Sequence, residues 1–306
     1  MEKTILMVHG RHWKPVKDQL LDLWVDAMRF GISRDRPEKL AAFDAAKKMM
    51  VYYGDLSNEF LARKTGKPVP NRVSDRRLSL ERLKRYRAEE FGELAYEMLP
   101  GQSKWNDALA RSVGSLAKLL RLGRPAIELY APDIREYWNQ DSEFGTELRA
   151  RMLDALTSLL HDDETLCVIS HSLGAIICYD IFWKLSRTGE YMHRFGSRKI
   201  DFWITLGAPL ADSAIRKNLK GFHAFGPRRY PSNVRQWLNI WAVDDYLCHE
   251  EELSADFHDM VEYGLTEEIA DRKIYNLSVR NGKSNPHCSV GYLIHPETAR
   301  AVADWL

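Results

Sequence analysis

Apolar and polar positions do not keep one period along this chain. They alternate between short solid apolar runs and helical stripes, and the alternation predicts the elements. Lys3 to His9 is a short apolar run closed by Gly10, which predicts a strand. From about Lys14 to Phe30, Val16, Leu20, Leu23, Trp24 and Ala27 fall on one helical stripe, with Pro15 in the first turn. Met49 to Tyr53 is a second apolar run, closed by Gly54-Asp55. Two strands separated by a helix predict a βαβ unit with parallel strands.

From about Leu56 to Leu129 the pattern turns helical and rich in Arg, Lys and Glu. Leu80, Leu83, Phe91, Leu94, Ala95 and Met98 predict one long amphipathic helix ended by Pro100-Gly101. Ala108 to Leu122 predicts another, stopped by Gly123 and Pro125. No strand pattern intervenes, so residues 56–129 are expected to form a helical cap inserted into a sheet scaffold. Beyond it come a helix over Asp141–Leu160, a strand over Thr165–Ser170 and a helix over Leu173–Leu185 that is apolar almost all round. Strands are then predicted at Ile200–Leu206, Val234–Val243 and Lys273–Val279, before a closing helix over Pro296–Leu306. This order predicts an α/β fold, a mostly parallel sheet flanked by helices, as a single domain over residues 1–306.

Composition narrows the classes. With 306 residues, 45% of them apolar, the chain can bury a sizeable core and is not a disordered protein. A formal charge of +1 argues against a nucleic-acid partner. No run of about 18 apolar residues exists, so no transmembrane segment is expected. The opening MEKTILMVHG has no signal-peptide pattern, and the four cysteines, Cys167, Cys178, Cys248 and Cys288, show no CxxC pairing. Both features predict reduced thiols in a cytoplasmic protein.

The chemistry concentrates at Leu166-Cys167-Val168-Ile169-Ser170-His171-Ser172-Leu173-Gly174, where an apolar strand runs directly into a helix with Ser172 at the turn. So tight a turn exposes its middle side chain at the end of the sheet and crowds the positions two before and two after. Those are the small residues Ser170 and Gly174. Ser172 would then sit at a helix N-terminus, whose N–H groups and dipole favour negative charge.

Ser-His-Ser-Leu-Gly resembles the G-x-S-x-G nucleophile elbow of the α/β-hydrolase superfamily, with Ser170 replacing the first Gly. The run ending in His9-Gly10-Arg11 is similar to the opening of lipase-like and esterase-like members. The resemblance implies an oxyanion hole made by the backbone N–H groups of Arg11 and Leu173. It also implies the chain order Ser, acid, His. Asn239 to Asp245 resembles the lipase-like N-x-x-x-x-x-D-x-V run, which places the acid at Asp245, with Leu247 where Val is usual and Asp244 as the alternative. His287, in a Gly/Asn/Pro-rich loop before the last helix, is the expected base, and an H-x-x-x-x-Y pattern follows it. His9, His12 and the rival His295 read as structural, and His171 as packed beside the nucleophile. His193, His223, His249 and His258 have no matching context.

The resemblance implies a serine hydrolase that cleaves a small-molecule ester or lipid through Ser172, His287 and Asp245, without cofactor or metal. A thioesterase or acyltransferase with the same residues, and a non-catalytic binding protein on the same scaffold, remain alternatives. The basic residues of the insertion, Arg63, Lys64, Lys67, Arg72, Arg76, Arg77, Arg82, Lys84, Arg85 and Arg87, read as a solvated face interleaved with Glu. The same face could dock on a membrane surface or an acidic protein. Gly282-Lys283-Ser284 lacks the Gly that a phosphate-binding loop needs at 277, where Leu stands. The Asn276-Leu277-Ser278 sequon falls in a predicted strand.

Overall fold

The computed structural model describes residues 2–67, 73–101, 132–139, 141–161, 165–245, 248 and 252–306. Its frame is a six-stranded parallel sheet in the order β2-β1-β3-β4-β5-β6. The strands are β1 (Lys3–Val8), β2 (Lys47–Val51), β3 (Thr165–His171), β4 (Ile200–Leu206), β5 (Val234–Ala242) and β6 (Glu268–Ile274). The chain is thus an α/β protein. No helix among the described residues is long and apolar enough to cross a membrane.

The inner strands are mostly apolar and mostly buried because helices cover both faces. Alternate side chains of β1 show this. Ile5 and Met7 join one core, with helix α1 (Lys17–Asp35) and the C-terminal helix. Leu6 and Val8 join the other, with the helices over Glu143–His161 and Leu173–Arg187. Trp203 and Trp237, adjacent in the register of β4 and β5, stack with ring centroids 4.3 Å apart in this second core.

Three expectations shift. Helix α1 starts at Lys17, so Val16 precedes it and is 62% exposed rather than on the buried stripe. The strand expected at Lys273–Val279 lies at Glu268–Ile274. It is an edge strand with one partner, so Glu268, Arg272 and Lys273 face water and its apolar pattern is weaker than that of the inner strands. The long helix expected over 80–98 is broken into α2 (Val73–Leu83), a 3₁₀ turn over Ala88–Glu90 and a short helix over Glu93–Glu97. Leu94 and Met98, assigned to its apolar face, are each 80% exposed. Leu80 and Leu83 of α2 are fully buried in the core shared with α1. The helix expected at Ala108–Leu122 lies outside the described residues.

The order β2-β1-β3 reverses direction between β1 and β3, and open parallel sheets bind ligands at the carboxyl ends of strands beside such a reversal. Register aligns those ends: Val8 pairs with Ser170, His171 with Leu206, and Leu206 with Ile240. The segments following β1, β3 and β5 therefore emerge at one edge.

Candidate active site

Ser172 is the residue between β3 and the helix α3 (Leu173–Arg187). Its backbone is forced to φ 55°, ψ −124°, a conformation costly for any residue with a Cβ. Two contacts enforce it: the Ser172 N–H donates to the Leu206 carbonyl at 3.1 Å, and α3 begins immediately afterwards. The helix packs so closely on β1 that a Cβ at Gly174 would lie 2.6 Å from the carbonyl oxygens of Val8 and His9. On the strand side Ser170 is also fully buried, and its hydroxyl accepts a 2.9 Å hydrogen bond from the Trp203 indole. A glycine there would leave that indole N–H without its acceptor, which gives Ser170 a structural role of its own.

The loop after β1 passes directly against this turn. A Cβ at Gly10 would meet His171 Nδ1 at 2.7 Å and the Cβ of Ser172 at 2.8 Å. Arg11 follows, its side chain buried, with Nε donating to Asp133 at 2.9 Å. The His12 N–H donates to the other Asp133 oxygen at 3.2 Å, and His12 takes a positive φ of 72°. Asp133 is fully buried. Burial alone would raise its carboxyl, but the Arg11 guanidinium and the loop's N–H outweigh that and hold it below the usual carboxylate range. Asp133 thus fixes the path of residues 10–12 past Ser172, and no local pattern in the sequence pointed to it. Leu173 is the first residue of α3, so its N–H has no partner within the helix.

Asp245 and His287 meet. The His287 Nδ1–H donates to the Asp245 carboxylate, at 2.8 and 3.0 Å from its two oxygens, with Asp245 only 1% exposed. That bond leaves Nε2, on the opposite edge of the ring, as the basic nitrogen. The neighbouring Asp244 points elsewhere and accepts from the Tyr96 hydroxyl at 3.2 Å. Two further residues hold the pair. The Tyr292 hydroxyl donates to Asp245 at 2.6 Å and accepts from the Ala242 N–H at 3.0 Å. Burial, and then Asp245, push the Tyr292 phenol well above its ordinary value, so it stays a donor. Asn276, fully buried, donates to the carbonyls of Pro286 and Cys288 at 2.7 and 3.0 Å and so braces both sides of His287. The Tyr five residues after His287 was a sequence signal for the first. Asn276 follows β6 rather than lying within it, so its side chain is available for the loop.

The 287 loop is tied to the serine turn by His171. Its ring stands 4.6 Å from the His287 ring, and its Nε2–H donates to the His287 carbonyl at 3.1 Å. Burial keeps His171 neutral, well below the ordinary imidazole range. The other histidines fill structural places. His9 is fully buried, accepts from the Tyr53 N–H at 3.1 Å and donates to the Gly10 carbonyl at 2.9 Å. His295 caps the last helix, accepting from the Glu297 N–H at 3.2 Å. His193, His223 and His258 take no part in this cluster, and His249 and Leu247 lie outside the described residues. All four cysteines are buried and unpaired. Among the described residues no three His, Cys, Asp or Glu side chains gather as a metal site would require.

The arrangement offers a hydroxyl only 1% exposed in a strained turn at a helix N-terminus, a carboxylate-oriented imidazole tied to that turn through His171, and the main chain of residues 10–12 packed alongside. Such groups can take a proton from a hydroxyl and stabilise a developing oxyanion. Comparison with protein-family models, curated proteins and solved structures finds no match, so the functional reading stands on this geometry.

Proposed function

We propose that this chain is a serine hydrolase of the α/β-hydrolase type that cleaves a carboxylic ester through Ser172, His287 and Asp245. The observation that carries the reading is the Asp245–His287 pair, its carboxylate buried, at the sheet edge where Ser172 holds its strained backbone. A hydroxyl needs an adjacent base, and that base needs a third group to orient it.

His287 Nε2 takes the proton from the Ser172 hydroxyl as Oγ bonds to the ester carbonyl carbon. The carbonyl oxygen becomes an alkoxide, held by the N–H groups of Leu173 and Arg11. Collapse breaks the ester bond, and the alcohol leaves with the proton from His287. Water then gives a proton to His287 and attacks the acyl-serine, and the acid departs as Ser172 recovers its proton. Asp245 stays ionised throughout and stabilises the imidazolium. One lost oxyanion donor typically costs about 2.7–4 kcal/mol of transition-state stabilisation.

The test is covalent labelling with a fluorophosphonate probe and turnover of short-chain para-nitrophenyl esters. Ser172→Ala is expected to abolish both, and His287→Ala to slow labelling below detection. Undiminished labelling of either folded variant refutes the role assigned to that residue.

A further inference from the structure

We propose that the substrate is a compact anionic ester, whose carboxylate or phosphoryl group is held beside His287 by Lys14, Arg76 and Arg280. The proposal rests on the hydrolase reading of the same site. A cavity of about 290 Å³ opens next to the imidazole, bordered by Arg11, Lys14, Arg76, His171, Arg280 and His287. Its volume suits a small ligand. Among the described residues none that lines it is acidic.

The cations come from three separate elements: the loop after β1, helix α2, and the hairpin pairing Val279–Arg280 with Lys283–Ser284. Carboxylates lie behind two of them, Asp133 on Arg11 at 2.9 Å and Asp75 on Arg280 at 2.5 Å. Lys14 is different. It is only 7% exposed, and its ammonium donates to the carbonyls of Arg11 and His12. Among the described residues no carboxylate lies within ion-pair distance of it. A buried ammonium without an ion-pair partner costs several kcal/mol, and Asp133 offsets only part of that from a distance. Burial, and then Arg76, accordingly pull Lys14 well below the ordinary lysine range. A bound oxyanion supplies that partner, and guanidinium forks match carboxylate and phosphate geometry. Arg76 departs from the solvated face expected for the insertion: it is 6% exposed and donates to the Trp13 carbonyl at 3.0 Å, against the pocket wall.

The test compares para-nitrophenyl monoglutarate with para-nitrophenyl hexanoate, an uncharged ester of similar length. The parent chain is expected to favour the charged ester in kcat/KM by about tenfold to a hundredfold, the range of one charge-assisted hydrogen bond or two. Arg280→Gln and Lys14→Met are each expected to narrow that ratio about tenfold. Equal turnover of the two esters by the parent overturns the proposal. An equal loss on both esters in Arg280→Gln also overturns it, assigning the cations to the oxyanion instead. Should Lys14→Met not fold, the parent and Arg280→Gln still decide.

A binding measurement needs no turnover. In Ser172→Ala, glutarate or inorganic phosphate at matched ionic strength is expected to raise the melting temperature above a chloride control. The stronger of the two identifies the headgroup, and no rise with either overturns the proposal. Fluorophosphonate labelling separates the two possible failures. Labelling without anion preference leaves the hydrolase standing alone, whereas anion stabilisation without labelling leaves only the binding site.

Discussion

Replacing Gly174 by Ala sets two opposed effects against each other, and the structure decides the sign. Gly174 lies in the first turn of α3, where Ala is favoured over Gly by about 1 kcal/mol from helix propensity. The added methyl would sit 2.6 Å from two oxygens, those of Val8 and His9, well inside the about 3.5 Å at which non-bonded heavy atoms pack best. Both oxygens belong to the main chain at the end of an inner strand, so neither can rotate away. Overpacking of this kind costs about 1–3 kcal/mol, sometimes more. With rigid obstacles the upper end applies, and the net loss is about 2 kcal/mol, or about 3 °C in melting temperature for a chain of this size. Relief of the clash must push α3 away from β1, and Ser172 moves with it relative to Gly10 and Arg11. A misplacement of 1 Å can cost about a hundredfold in rate, so a shift of half that is expected to slow labelling about tenfold. Urea unfolding and the rate of fluorophosphonate labelling read the two effects separately. A Gly174→Ala chain as stable as its parent, labelling at the parental rate, would refute the close-approach argument.

Asp245→Asn is expected to lower kcat by about 10⁴-fold, the cost of losing imidazole orientation, whereas Asp244→Asn keeps activity within a few-fold because its partner is Tyr96. Comparable losses in the two variants would contradict the observed pairing. Asn276→Ala leaves the Pro286 and Cys288 carbonyls without their donor, and a stability loss of about 1–3 kcal/mol together with a fall in kcat is expected. A fall confined to KM would argue against a role in holding the His287 loop. Stability should also drop in acid. Burial lowers His9 and His171 well below 6.5, and His295 to about 3. Each folded imidazole therefore refuses a proton that the unfolded chain accepts, so stability falls as pH drops below 6.5. The slope approaches about 1.4 kcal/mol per pH unit for each group. Urea midpoints that stay level from neutral pH down to pH values well below 6.5 would show that these imidazoles are not buried.

Much of the scaffold was legible because burial on both faces leaves a local mark. The runs at Lys3–His9, Thr165–Ser170, Ile200–Leu206 and Val234–Val243 coincide closely with β1, β3, β4 and β5. Where burial is one-sided, the mark fades: β6, on the sheet edge, was displaced by five residues from the position its apolar pattern suggested. The small residues around Ser172 were equally legible, since a tight strand-to-helix turn excludes bulk whatever surrounds it.

What the order of residues alone established is the kind of scaffold and the turn that presents Ser172, because solid apolar runs, helical stripes and steric crowding are properties of neighbours in the chain. Which aspartate faces His287, how Tyr292, Asn276 and Asp133 brace the site, and that Arg76 leaves its polar helix face for a pocket shared with Lys14 and Arg280 were settled only by the fold. These contacts join residues tens to hundreds of positions apart. They depend on strand order and register, which bring the ends of β1, β3 and β5 to one edge, and no local pattern encodes that geometry.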